Sequence, residues 1–129
     1  MELKLLNFPD PMNPNFLSFK VSSAPHYELT AHEYDKAEST LGNSLKYHDS
    51  MGFTTSDRDN DKHTTNCARI YRGAWWFNNC LHSNLNGMNY PYKQDNYRGI
   101  VWYHGGERGR GFRTWKEAVM KIRRRQDLD

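Results

Sequence analysis

Asn66-Cys67-Ala68-Arg69-Ile70-Tyr71-Arg72-Gly73-Ala74-Trp75-Trp76-Phe77-Asn78-Asn79-Cys80-Leu81-His82-Ser83-Asn84-Leu85-Asn86-Gly87 holds both cysteines of the protein, thirteen positions apart, and three adjacent aromatics between them. Neither a helical nor a strand period persists across it. Such a stretch keeps its shape through cross-links or specific packing rather than through regular backbone structure. Two cysteines allow one disulfide or two free thiols and settle no compartment by themselves. A bridge between them would close a loop worth roughly 3 kcal/mol in the chain-entropy account. Zinc held by these cysteines and a histidine is disfavoured, because the spacing fits no standard zinc motif. Trp75 and Trp76 read as core, since an aromatic ring buries roughly 150–250 Å2.

Immediately upstream, Thr54–Cys67 reads TTSDRDNDKHTTNC, with Asp57, Asp59 and Asp61 alternating. That arrangement lets carboxylates converge on one hard cation, and Ca2+ takes six to eight oxygens from carboxylates, carbonyls and water. An EF-hand is excluded: with Asp57 at loop position 1, Lys62 stands where Gly is required and Ala68 where Glu is required. A different calcium loop, completed by backbone carbonyls after Asp61, competes with a solvated Asp/Asn turn. Mg2+ fits less well, because it favours substrate phosphates and retained water.

Further out, the sequence reads as strands at both ends around a long loop-built middle. Phe16–Val21 and His26–Thr30 are rich in aromatic and β-branched residues and are separated by a turn signal at Ser22–Pro25. Gly99–Tyr103 is a strand candidate, and Ala118–Arg123 places Ala118, Met120 and Ile122 on one face. Pro9, Pro11 and Pro14 mark residues 1–15 as irregular. Leu45, Tyr47, Met51 and Phe53 suggest a brief element seated on the core, and residues 54–96 carry no sustained period. His48 and His63 read as solvated side chains.

These motifs together resemble the fibrinogen C-terminal (fibrinogen-related) domain family. The resemblance is densest at Asp57–Gly87 and extends to Asn43-Ser44-Leu45, Met51-Gly52-Phe53-Thr54-Thr55 and Met120-Lys121-Ile122-Arg123, in the same order. It implies an α+β fold with a small antiparallel sheet and a long loop-rich calcium and ligand subdomain over residues 16–125, with 126–129 a tail. It also implies a Cys67–Cys80 disulfide and a secreted, oxidising setting. One Ca2+ would be held by the side chains of Asp59 and Asp61 and the carbonyls of His63 and Thr65. The ligand pocket beside it would be shaped by a cis Asn79–Cys80 peptide, with His82 and Tyr97 on its wall and Tyr92 a further candidate.

Complete members of the family are nearly twice as long, so the resemblance covers the central sheet and the C-terminal ligand-binding part, and the missing strands would leave a sheet edge unprotected. Acetyl-binding members carry His directly after the second cysteine, where this sequence has Leu81 and then His82. They carry Tyr three residues before the Gly of the Gly-Ile-x-Trp strand, where this sequence has Asn96 and then Tyr97. The implied function is non-catalytic recognition: lectin-like binding of acetylated or anionic glycans in innate recognition. The alternatives are protein binding in a matrix or receptor-signalling protein, and a structural fragment without independent binding. Oligomers would form through segments absent here.

Charge and composition restrict the rest. The protein has 129 residues and formal charge +3, yet Arg98–Arg125 holds nine Lys/Arg against Glu107 and Glu117, net +7, leaving −4 elsewhere. Such a basic region attracts sulfate or phosphate groups over long range. Base-stacking or groove-reading machinery is absent from the sequence, which argues against nucleic acid. The longest apolar run, around Ala74–Phe77, is too short for a membrane span, and Met1–Phe8 lacks the signal-peptide pattern. Ser83 beside His82 has no nucleophile elbow or triad signature, so no enzyme is expected.

Overall fold

The computed structural model describes residues 2–6, 11–12, 14–90, 97–103 and 114–124, the first two stretches as backbone only. Aromatic and β-branched residues build β3 (Phe16–Val21) and β4 (Leu29–Tyr34), an antiparallel pair in which Phe19 faces Ala31 and Val21 faces Leu29. The connection closes where Ser22 N–H donates to Glu28 O, and Ser22 Oγ accepts from Glu28 N–H. The second strand starts at Leu29 rather than His26, because residues 26–28 belong to this exposed connection while Leu29 is fully buried.

The expected irregular beginning contains two strands. β1 (Glu2–Leu6) and β2 (Pro11–Met12) pair with each other, and β1 also pairs antiparallel with the C-terminal strand β8 (Glu117–Lys121), Glu2 opposite Lys121 and Leu6 opposite Glu117. The prolines that argued against strands stand outside β1 and at the first position of β2, where a missing N–H is tolerated.

The middle of the molecule is short elements joined by turns. A 3-10 turn spans Lys46–His48 and a five-residue helix, α1, spans Cys67–Tyr71. Asn66 caps α1: its Oδ1 accepts from Ala68 N–H at 2.8 Å and Arg69 N–H at 3.2 Å. Arg72 ends it in the left-handed conformation at φ 55°. Too short to show a helical period, α1 leaves no mark on the sequence pattern. Then β5 (Ser83–Asn84), β6 (Ile100–Trp102) and β7 (Thr114–Trp115) form a three-stranded sheet in the order β5-β6-β7.

One core joins these parts. Phe16 and Leu29 from β3 and β4 meet Leu45, Met51, Cys67, Trp75, Trp76, Phe77, Trp102 and Trp115. Trp75 and Trp76 are both in it, with ring centroids 5.0 Å apart in an edge-to-face arrangement. No helix among the described residues is long and apolar enough to cross a membrane.

A candidate cation loop locked to an aromatic ligand wall

The acidic loop is folded by its own side chains. Asn60 N–H donates to Thr54 Oγ1, and Asn60 Nδ2 donates to Phe53 O. Asp59 Oδ1 accepts from Asp61 N–H at 3.0 Å; Asp61 Oδ1 accepts from His63 N–H at 2.9 Å, and its Oδ2 from Cys67 N–H at 2.8 Å. Burial pushes the Asp61 carboxyl upward from the usual range, the Cys67 and His63 amides oppose that, and the neighbouring Asp59 charge adds to it. Two acidic side chains are therefore held side by side with no cationic ion-pair partner among the described residues. Asp57 is differently placed: fully exposed, it accepts from Thr55 Oγ1 at 2.6 Å, which holds its carboxyl below the usual range.

His63 Nδ1 lies 3.0 Å from Thr65 N and 2.9 Å from Thr65 O, so the ring closes this turn against the Thr65 backbone. The donors that the resemblance implies, the Asp59 and Asp61 carboxylates with the His63 and Thr65 carbonyls, are all oxygen, a set that would suit Ca2+ rather than zinc. His63, Cys67 and Cys80 also converge, their ligand atoms within 4.8 Å of one another. Both sulfurs are joined in the Cys67–Cys80 disulfide, with Cα atoms 5.7 Å apart, so no thiolate is present to bind zinc.

The disulfide ties α1, at the end of the acidic loop, to the segment carrying the expected ligand residues. Lys62 N–H donates to Asn78 O at 3.1 Å, a second tie across the same gap. The Asn79–Cys80 peptide is cis. Beside it stands a residue that sequence reasoning does not select: Tyr47, whose hydroxyl donates to Asn79 O at 2.7 Å and whose ring stacks on His82 with centroids 3.9 Å apart. His82 also stacks near Tyr103, centroids 5.5 Å apart, and all three rings are at least partly exposed.

His48 is the largest correction. Expected in solvent, it is fully buried beneath this wall. Its Nδ1 donates to Trp76 O at 2.7 Å, and its Nε2 accepts from His82 N–H and Ser83 N–H, both at 3.0 Å. That pattern requires the neutral Nδ1–H tautomer. Burial, with a smaller push from His82 and against the Trp76 hydrogen bond, lowers its pKa to about 4. One side chain thus pins both ends of the Trp76–Ser83 turn.

Tyr47 is in contact with both Asn79, through its hydroxyl, and His82, through its ring. Tyr97 is half exposed and packs edge-on against Tyr71 of α1, centroids 6.4 Å apart. Ser83 is buried, donating to Ser44 O at 3.0 Å and accepting from Trp75 Nε1 at 3.2 Å, which makes it a packing group rather than an exposed nucleophile. Tyr92, Asn96, Gly105 and the basic residues Arg108, Arg110, Arg113 and Arg125 lie outside the described residues. A signal for Tyr47 and His48 exists in the sequence, as an aromatic and a histidine in the one brief element seated on the core, but only contacts over thirty positions reveal their role.

Comparison with known proteins agrees with this fold. The family model for the C-terminal globular domain of the fibrinogen beta and gamma chains matches residues 2–125. Human tenascin-R is 42% identical over 110 residues, which is 79% of this chain and 8% of that protein. Rat fibrinogen-like protein 1 is 40% identical over 114 residues, covering 75% of this chain and 33% of that one. The fibrinogen-like globe domain of human ANGPTL2 superposes with a TM-score of 0.77 at 30% identity, over 92% of this chain and 54% of that domain. The protein therefore spans only part of each relative's length.

Proposed function

We propose, on the premise that this protein belongs to the family of the C-terminal globular domain of the fibrinogen beta and gamma chains, that it is a non-catalytic, calcium-supported extracellular recognition module. The observation carrying this reading is the double tie between the acidic loop and the ligand wall, through Cys67–Cys80 and through Lys62 N–H to Asn78 O. A Ca2+ held by Asp59, Asp61 and the carbonyls of His63 and Thr65 would brace that wall without touching the ligand. The disulfide supports an oxidising, secreted setting.

The ligand class we assign first is an acetylated or anionic glycan. The stacked rings of Tyr47, His82 and Tyr103 offer an apolar surface for an acetyl methyl or a sugar C–H face. Exposed Arg98, Lys116, Lys121, Arg123 and Arg124 supply positive potential at long range. A second reading, a protein-binding domain of matrix or signalling type, draws on the same stack, because protein interfaces are enriched in Tyr and Arg.

Retention on immobilised N-acetylglucosamine separates the two. A lectin is retained with calcium, released by chelator, and eluted by free acetate. A folded protein that flows through overturns the lectin reading and turns the search to protein partners.

A further inference from the structure

Asn86-Gly87 is the one Asn-Gly pair in the sequence. It sits in the turn that leaves β5 and brings Met88 alongside Gly99, just before β6. Asn-Gly suits a tight turn. It is also the dipeptide in which a backbone nitrogen most readily reaches the preceding side-chain amide, because glycine has no side chain to hinder the approach. Asn86 is exposed, whereas Ser83, Asn84 and Leu85 before it are buried.

The fold grips this turn from two flanks. On one, Asn86 Nδ2 donates to Ala74 O at 2.7 Å, and Trp75 Nε1 donates to Ser83 Oγ at 3.2 Å. On the other, Met88 N–H donates to Arg98 O at 2.7 Å, and a Cβ added to Gly87 would stand 1.9 Å from Gly99 O. Asn84 is fixed opposite Val101, so both ends of the turn are pinned. Gly87 N–H itself donates to Asn84 O at 3.4 Å. A reaction between the Gly87 nitrogen and the Asn86 amide needs both groups released from these bonds.

We propose that Asn86 is a site of spontaneous deamidation gated by the fold, and that the modification is a one-way exit from the native state. When the turn opens, the Gly87 nitrogen gives its proton to solvent and bonds to Asn86 Cγ. The Cγ–Nδ2 bond breaks, and Nδ2 leaves as ammonia after taking up a proton. Water then opens the cyclic imide at either carbonyl, giving an aspartyl or an isoaspartyl link. The net change is amide plus water to acid plus ammonia, with no oxidant or reductant. Neither product can rebuild the turn. A carboxylate has no N–H for Ala74 O, so two acceptors would face each other. An isoaspartyl link adds a main-chain carbon between pinned ends, where Gly99 O leaves Gly87 no room to shift. A molecule that opens and reacts is thereby removed from the folding equilibrium.

The test is incubation of the full-length protein at mildly alkaline pH and body temperature, in native buffer and in guanidinium chloride with the disulfide intact. Peptide mass spectrometry follows the amide-to-acid change at Asn86, and isoaspartyl methylation counts the rearranged link. Product should build up at least roughly tenfold more slowly in native buffer, because reaction waits for an opening that both flanks oppose. Asn86→Gln keeps an amide donor but must close a larger, slower-forming ring, so it should suppress the modification in both buffers. The product, separated from wild type by its added negative charge, should melt at a lower temperature. Equal rates in the two buffers overturn the proposal. So does an acidic product that forms undiminished in Asn86→Gln, or a modified protein that melts with wild type. The comparison in guanidinium chloride holds whether or not Asn86→Gln folds.

Discussion

His48 works as three hydrogen bonds in one neutral ring, and its burial makes protonation costly. Unfolded, it titrates near its ordinary 6.5; folded, its pKa is lowered to about 4. A depressed folded value means the unfolded state binds the proton first, so this contribution is fully present above pH 6.5 and is lost as pH falls toward 4. The expected loss is about 3 kcal/mol across that window, read as a falling urea midpoint. In His48→Gln the slope of midpoint against pH between 6.5 and 4.5 should flatten, although the variant starts less stable at pH 7. An unchanged slope would show that another group carries the effect. A histidine between Tyr47 and Asp49 reads as surface until the turn at Trp76–Ser83 folds over it.

The smallest elements are the ones that place the site. α1 is only five residues long and contributes little by propensity. Its position comes from Asn66, which caps it and also donates through Nδ2 to Thr55 O at 2.9 Å, fastening the helix start to the beginning of the acidic loop. Asn66→Ala removes the cap and that tie, and should cost about 1–2 kcal/mol in chemical denaturation. Asn66→Asp keeps the cap acceptor and loses only the donor, so it should fall between the two. If the alanine variant matches wild type, the helix is positioned by the disulfide alone. The hairpin of β3 and β4 was readable because its aromatic and β-branched residues are contiguous. The 3-10 turn, β5 and β7 each last two or three residues, fewer than any period needs to declare itself.

At the scale of the molecule, the disulfide and the Lys62–Asn78 bond join the acidic loop to the Asn78–Cys80 segment and the core, so a cation bound in that loop should stabilise the whole fold. A ligand that binds only the native state stabilises by RT ln(1 + [L]/Kd), about 2.7 kcal/mol at a hundredfold excess over Kd. The melting temperature of wild type is therefore expected to rise with added calcium and fall with chelator. Asp59→Asn combined with Asp61→Asn should abolish that response, while Asp57→Asn, whose carboxylate is turned into its own Thr55 hydrogen bond, should keep it. A calcium response that survives the double replacement removes Asp59 and Asp61 from the site.

Sequence alone determined the parts whose information is local. The cysteine pair, the alternating aspartates, the aromatic run and the central strands are short patterns of residue type, and their order is what resembles the fibrinogen C-terminal family. Tertiary structure alone decided which distant groups meet. Glu2–Leu6 became a strand because Glu117–Lys121 came alongside it from the other end of the sequence. Tyr47 meets Asn79 through its hydroxyl and His82 through its ring, and Tyr97 meets Tyr71 of α1 edge-on. The physical reason is the same in each case: backbone pairing and ring packing act between surfaces, and a surface is assembled from residues whose separation in sequence no local pattern records.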